Sequence, residues 1–288
     1  NDEDIEELKG LHRYNPSKIT SDNMLEWLKT GEVEEEGYAS GDDSETSKKF
    51  LTHLQKEEYE NALKTARGLK TQQDLAYSQL FEALYQKSNF TLANQLLDQL
   101  PVGKYDNLRL QVALAAAAKS NVAGNKEIAL EIIGKIDRSV SVPITKEIKQ
   151  NNQDLQYFDS ISGLHAQAII AAQIEDEQTL KELGEAASDD FSKAAIALEK
   201  GKHAQIKLLA GKEDAEKVFS LFEEARSSAA KASGSDAGTI IKICQQYMVD
   251  IIQTLERSPR DNMGRINDEK IKKLIDNLNS NLPEGKFE

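Results

Sequence analysis

Apolar residues recur along this chain at helical spacing, in short runs that come in pairs. The clearest pair spans residues 77–100: Tyr77, Leu80, Phe81 and Leu84 form one face, residues 86–89 interrupt it, and Phe90, Ala93, Leu96, Leu97 and Leu100 form a second. The spacing predicts two short amphipathic helices meeting as a hairpin. Neither could bury its face alone, so such a unit requires neighbours of its own kind.

The pattern repeats loosely. Phe50, Leu51 and Leu54 precede Tyr59, Ala62, Leu63, Ala66 and Leu69; Leu108, Leu110, Val112 and Leu114 run into four alanines before Ile128, Ala129, Ile132, Ile133 and Ile136. A fourth unit uses Ile161, Leu164, Ala168, Ile169 and Ala172, then Leu180, Leu183 and Ala187. The fifth carries Phe191, Ala194, Ala195 and Leu198 on through Ile206, Leu208 and Leu209, followed by Ala215, Val218, Phe219, Phe222 and Ala225. Gly201 either breaks the first helix of that unit or marks a close crossing within it. Equating Ala62, Ala93, Ala129, Leu180 and Ala215 gives spacings of 31, 36, 51 and 35 residues. The long interval holds an insertion at 138–159, with Pro143 and a polar run in which residues 145–150 offer a local helix.

The two ends depart from this pattern. Residues 231–288 are expected to cap the array with helices, a long one through Ile240, Ile243, Cys244, Tyr247, Ile251 and Leu255 and a last one through Ile271, Leu274, Ile275 and Leu278, after a polar turn or mobile connection at 228–238. Residues 1–49 hold six Lys/Arg and fourteen Asp/Glu, and so carry −8 of the chain's net −13. They read as an acidic arm with one or two short helices and a flexible link at 32–47. The single tryptophan lies in this arm, and Met24, Leu25, Trp27 and Leu28 are expected either to pack on the first hairpin as a cap or to act as a docking peptide.

Composition then narrows the class. Five prolines in 288 residues and long Ala/Leu/Glu/Lys-rich segments indicate an all-α chain. The nearly balanced body shows no stripe of Lys and Arg, which argues against general nucleic-acid binding. No stretch is long and apolar enough to span a membrane. One cysteine, Cys244, precludes an internal disulfide. The chain begins at Asn1 rather than Met, as expected of a trimmed chain, which leaves room for a removed export signal.

Tyr77, Leu80, Leu84, Phe90, Ala93 and Leu97, together with Tyr59 and Ala62 in the preceding unit, resemble the tetratricopeptide (TPR) repeat, in which a small residue lies early in the second helix and an aromatic just before it. The resemblance covers residues 48–230, with Phe81 where that family usually has Gly. It implies stacked antiparallel hairpins forming a TPR-like superhelix, or α-solenoid, over residues 50–230. It also implies a concave groove that binds a protein or peptide through the first helix of each pair. In that register the groove residues are Ser78, Glu82, Tyr85 and Gln86 in the second unit and His165, Ile169 and Gln173 in the fourth. The family's Lys and Asn clamp for an acidic carboxyl tail is absent at these places.

Four histidines, His12, His53, His165 and His203, lie far apart, with no carboxylate or second histidine at ligand spacing. No HExxH, CxxC or P-loop occurs, so no metal or cofactor is expected. Adjacent acids such as Asp176 and Glu177, or Asp189 and Asp190, point about 100° apart on a helix and read as solvated faces or caps. Asn89-Phe90-Thr91 forms a glycosylation sequon in a turn. Two functions follow as expectations. One is a non-enzymatic binding scaffold, modulated by its acidic arm. The other is an α/α enzyme or small-ligand carrier whose site is assembled across helices, with Glu82, Tyr85 and His165 in one concavity.

Overall fold

The computed structural model describes residues 44–233, 235–257, 269 and 271–276, and these are mostly α-helical. The acidic arm before residue 44, with its docking segment at Met24, Leu25, Trp27 and Leu28, lies outside the described residues, as does Leu278 of the expected last helix. The chain divides into two units, Asn1–Leu96 and Leu97–Glu288.

In the first unit, α1 (Ser44–Gln55) packs on α2 (Tyr59–Arg67) and on α3 (Gln73–Gln86), and α2 also packs on α3. Helix α4 (Phe90–Leu97) follows. The apolar positions read from the pattern are the ones buried: Phe50, Tyr59, Ala62 and Leu63, then Tyr77, Leu80, Phe81 and Leu84, then Phe90, Ala93 and Leu96.

The second unit runs α5 (Asp106–Ala118), α6 (Asn125–Gly134), β1 (Ser141–Pro143), α7 (Lys146–Asn151), a 3-10 turn (Gln153–Tyr157), β2 (Ser160–Ser162), α8 (Gly163–Gln173), α9 (Glu177–Ala186), α10 (Asp190–Leu209), α11 (Ala215–Lys231) and α12 (Ser235–Arg257). Helix α8 is its hub, touching α5, α6, α9, α10 and both strands. Its alanines 166, 168, 171 and 172 are buried on several sides, as befits a helix that is apolar nearly all round. Leu164, Leu180, Leu183 and Ile196 fill the space between α8, α9 and α10. Helix α12 packs on both α10 and α11.

One turn recurs in both units. Glu57, Ser88 and Glu175 adopt left-handed backbone, with φ of 59°, 57° and 62°, and Gly211 does so at 70°. At each, two backbone bonds close the preceding helix in the same way: Glu58 N–H to His53 C=O and Glu57 N–H to Leu54 C=O, Asn89 to Leu84 and Ser88 to Tyr85, Asp176 to Ala171 and Glu175 to Ala172, Lys212 to Lys207 and Gly211 to Leu208. These are Schellman closures, which satisfy the last carbonyls of a helix and reverse the chain. Ala62, Ala93 and Leu180 each lie five residues beyond the left-handed residue and are buried. Ala215 lies four beyond Gly211.

Several expectations need correction. Ile161 does not open a helix; it sits in β2, opposite Val142 of β1 in an antiparallel pair. The insertion at 138–159 therefore contains β1, whose partner strand β2 follows directly after it, as well as the local helix expected near 145–150. The connection read at 228–238 is shorter, because α11 continues to Lys231 and α12 starts at Ser235. Gly201 does not break its helix: α10 is continuous from Asp190 to Leu209, and the glycine admits the ring of Phe222. Ile206 and Leu209, assigned to an apolar face, are 55% and 66% exposed.

Candidate functional site

Helix α10 carries Glu199, Lys202, His203 and Ile206 at helical spacing, so one flank of it presents a carboxylate, an ammonium, an imidazole and an apolar residue together. They line a cleft of about 420 Å³. Its other walls come from Asp154 and Leu155 of the 3-10 turn, Ile169 and Gln173 of α8, and Tyr247 of α12. The insertion in the sequence thus supplies one wall of the cleft.

Its floor is a connected polar network. Glu199 is 3% exposed, and its Oε1 lies 3.2 Å from His165 Nε2 and accepts from Lys202 Nζ at 2.8 Å. The same Lys202 ammonium reaches Asp154 Oδ2 at 2.8 Å, and the Tyr247 hydroxyl donates to that oxygen at 2.8 Å. The Tyr247 ring stacks on Phe222, centroids 5.0 Å apart and planes 4° from parallel. His165 is buried, with Phe158 edge-on at 5.7 Å. A carboxylate at Nε2 favours the tautomer protonated there, which leaves Nδ1 without a hydrogen-bond partner.

The electrostatics follow from burial set against these partners. Burial alone would raise the Glu199 carboxyl, but Lys202 and His165 outweigh it and hold the carboxyl below its usual value. Burial would lower the Lys202 ammonium, yet Glu199 and Asp154 push it above the usual lysine value. Tyr247 is raised, first by burial, with Asp154 adding to the effect against the pull of Lys202. Each shift moves the group's titration further from neutral pH, so that Glu199 and Lys202 stay charged and Tyr247 stays a neutral phenol.

His203 is different. It is 6% exposed, lines the cleft, and neither ring nitrogen has a hydrogen-bond partner. The Glu177 carboxylate stands 3.7 Å from Nε2 and is held by Lys207.

Ile169 and Gln173, two of the expected groove residues, are brought together on the cleft wall, half-buried and exposed respectively. His165 lies one layer behind, enclosed by Glu199 and Phe158, and so acts on the cleft only through Glu199. In the first unit Ser78, Glu82 and Tyr85 are half-buried along α3, and exposed Gln86 donates to Glu82 at 3.1 Å. Asp154, Glu199 and Lys202 are absent from the sequence expectations, His203 stands there only as an isolated histidine, and Tyr247 only as part of an apolar helix face. Glu199 pairs with a histidine 34 residues away, so no local spacing announces it. The available signal was a Glu on the stripe that joins Ala195 to Ile206. Asp176 and Asp189 serve as helix caps, accepting from the backbone N–H of Thr179 and Ser192.

Among the described residues no group of three or more His, Cys, Asp or Glu is placed to hold a metal ion, and no helix is long and apolar enough to cross a membrane. Set against protein-family models, curated proteins and solved structures, the chain matches none.

Proposed function

We propose that the chain is a non-enzymatic scaffold that binds a peptide or protein segment, and that the cleft between the insertion, α8, α10 and α12 is a principal seat. The single observation that carries this reading is the makeup of the cleft. Its ionised groups are paired with one another at the floor, while its walls offer the carboxamides of Gln173 and Gln205 beside half-exposed Ile169 and exposed Ile206. Amide groups beside apolar side chains suit a peptide backbone with apolar side chains. The floor groups Glu199, Lys202 and Tyr247 are committed to one another and are each shifted away from the near-neutral range that general acid–base chemistry uses.

Within each unit we read the helix pairs as TPR-like repeats. The recurrent left-handed closures at Glu57, Ser88, Glu175 and Gly211, with buried small or apolar residues four or five positions later, support that reading. Ser78, Glu82, Tyr85 and Gln86 are the corresponding contact stripe of the first unit. A small-ligand carrier is the second reading, favoured by a volume within the roughly 300–1,000 Å³ of small-molecule sites.

The test is selection of a displayed random heptapeptide library on the full chain. Enrichment that is lost when Ile206→Asp is used as bait supports the scaffold. No enrichment over an unrelated helical protein, together with saturable binding of small metabolites, favours the carrier.

A further inference from the structure

We propose that the cleft of the second unit selects a cationic side chain, an arginine or lysine of the bound peptide, with the Asp154 carboxylate as its anchor. The inference rests on the peptide-binding reading above and adds the chemistry of the residue that is read.

Charge gives the sign. Asp154 and Glu199 face a single ammonium, Lys202, so the floor carries one formal negative charge. Asp154 spends only Oδ2 on Lys202 and Tyr247, and its side chain is 31% exposed, which leaves Oδ1 to a ligand donor. The walls formed by Leu155, Ile169 and Ile206 are apolar, and a low-dielectric wall strengthens the attraction of a charge at the floor. An anion would need Lys202, whose ammonium is already held between two carboxylates.

His203 is an independent pointer to a ligand. Buried polar groups in folded proteins nearly always have hydrogen-bond partners, and at this imidazole, on the cleft wall, Nδ1 has none while Nε2 has only the Glu177 carboxylate at 3.7 Å. A neutral imidazole offers one acceptor nitrogen, which suits a guanidinium or ammonium N–H. The carboxamide oxygens of Gln173 and Gln205 add acceptors of the same kind. Several acceptors, one net negative charge and no unclaimed cation describe a site for an Arg or Lys side chain.

The peptides enriched on the full chain carry the answer. Their sequences are expected to share a basic residue at one fixed position. In calorimetry the best peptide should lose at least about tenfold in affinity when that residue becomes citrulline or norleucine, and a similar factor with the Asp154→Asn chain. Because Asp154→Asn also loosens Lys202 and could disturb folding, Gln173 provides a second pair on the exposed wall. Gln173→Glu should tighten the basic peptide about threefold and Gln173→Lys should weaken it by as much, with helical circular dichroism unchanged. Enriched peptides without a fixed basic residue, or indifference to citrulline, overturn the cation while leaving the scaffold standing. Absence of any enrichment overturns both. Spermidine binding as tightly as the best peptide, with the same response to Asp154→Asn, overturns the peptide as the source of the cation.

Discussion

Gly201 and Phe222 are in contact across α10 and α11: a Cβ placed on Gly201 would lie 2.8 Å from the Phe222 ring. The glycine lets these two helices approach, and the ring it admits stacks on Tyr247, whose hydroxyl holds Asp154 at the cleft. An alanine here would gain about 1 kcal/mol of helix propensity but must displace an enclosed aromatic ring, at a cost of about 1–3 kcal/mol. Gly201→Ala is therefore expected to lower the denaturation midpoint and to weaken peptide binding, and Gly201→Ala with Phe222→Leu to recover part of the stability. A stabilised Gly201→Ala single variant would contradict this packing.

The left-handed turns predict the opposite response. Glu57, Ser88 and Glu175 each pay a steric penalty for positive φ that glycine does not. Replacing any of them by Gly should raise stability by about 0.5–1 kcal/mol, while Gly211→Ala should lower it by a similar amount. Glu57 must be read with its neighbour contact in mind, since its carboxylate also meets Lys87 at 2.8 Å on the exposed surface. Glu175→Gly is the cleaner test, by urea denaturation.

Arg109 is 1% exposed and donates to the carbonyls of Leu97 and Leu100, both at 3.1 Å, and to Asp106 Oδ1 at 3.1 Å. Its removal would strand a buried carboxylate and two carbonyls. Arg109→Ala should cost about 3–5 kcal/mol, and Asp106→Ala on that background should restore some of it, because the orphaned charge is then gone. Additive losses in the two-step series would argue against a coupled pair.

Stability should also fall at both extremes of pH. The Glu199 carboxyl titrates lower in the folded chain than in the unfolded one, so its contribution is complete above the ordinary value of 4.5 and is lost as pH falls through the folded value. At the alkaline end, burial raises the Cys244 thiol from 9.0 to about 12, and Tyr247 and Lys202 are also raised. The unfolded chain therefore releases these protons first, and stability declines as pH rises above about 9. Urea midpoints between pH 7 and 11 should show this decline, and Cys244→Val should flatten its first part. A wild-type midpoint independent of pH over that range would remove the buried thiol from the account.

Most of the helices were legible in the sequence because burial imposes a period of 3.6 on each short run, and Tyr77, Leu80, Leu84, Phe90 and Ala93 show it cleanly. Ile161 misled because a buried strand residue next to a helix continues the same apolar spacing. Gly201 stayed ambiguous because its reason lies on Phe222, in another helix. Of the cleft's lining only Ile169 and Gln173 were legible as neighbours, from register along one helix. Asp154, Glu199 and Tyr247 come from three separate elements, and their meeting is a product of packing that no local spacing encodes. Histidine reading failed for the same cause, since His165 and His203 face carboxylates 34 and 26 residues away in sequence.

The central claim is that a peptide lies along the cleft of the second unit. Methyl NMR of the isoleucine δ1 groups in the full chain, titrated with the best library-selected peptide, tests it most directly. The account predicts saturable shifts at Ile169 and Ile206, with Ile132 and Ile133 of α6 unmoved. Saturable binding that leaves Ile169 and Ile206 unshifted would contradict it.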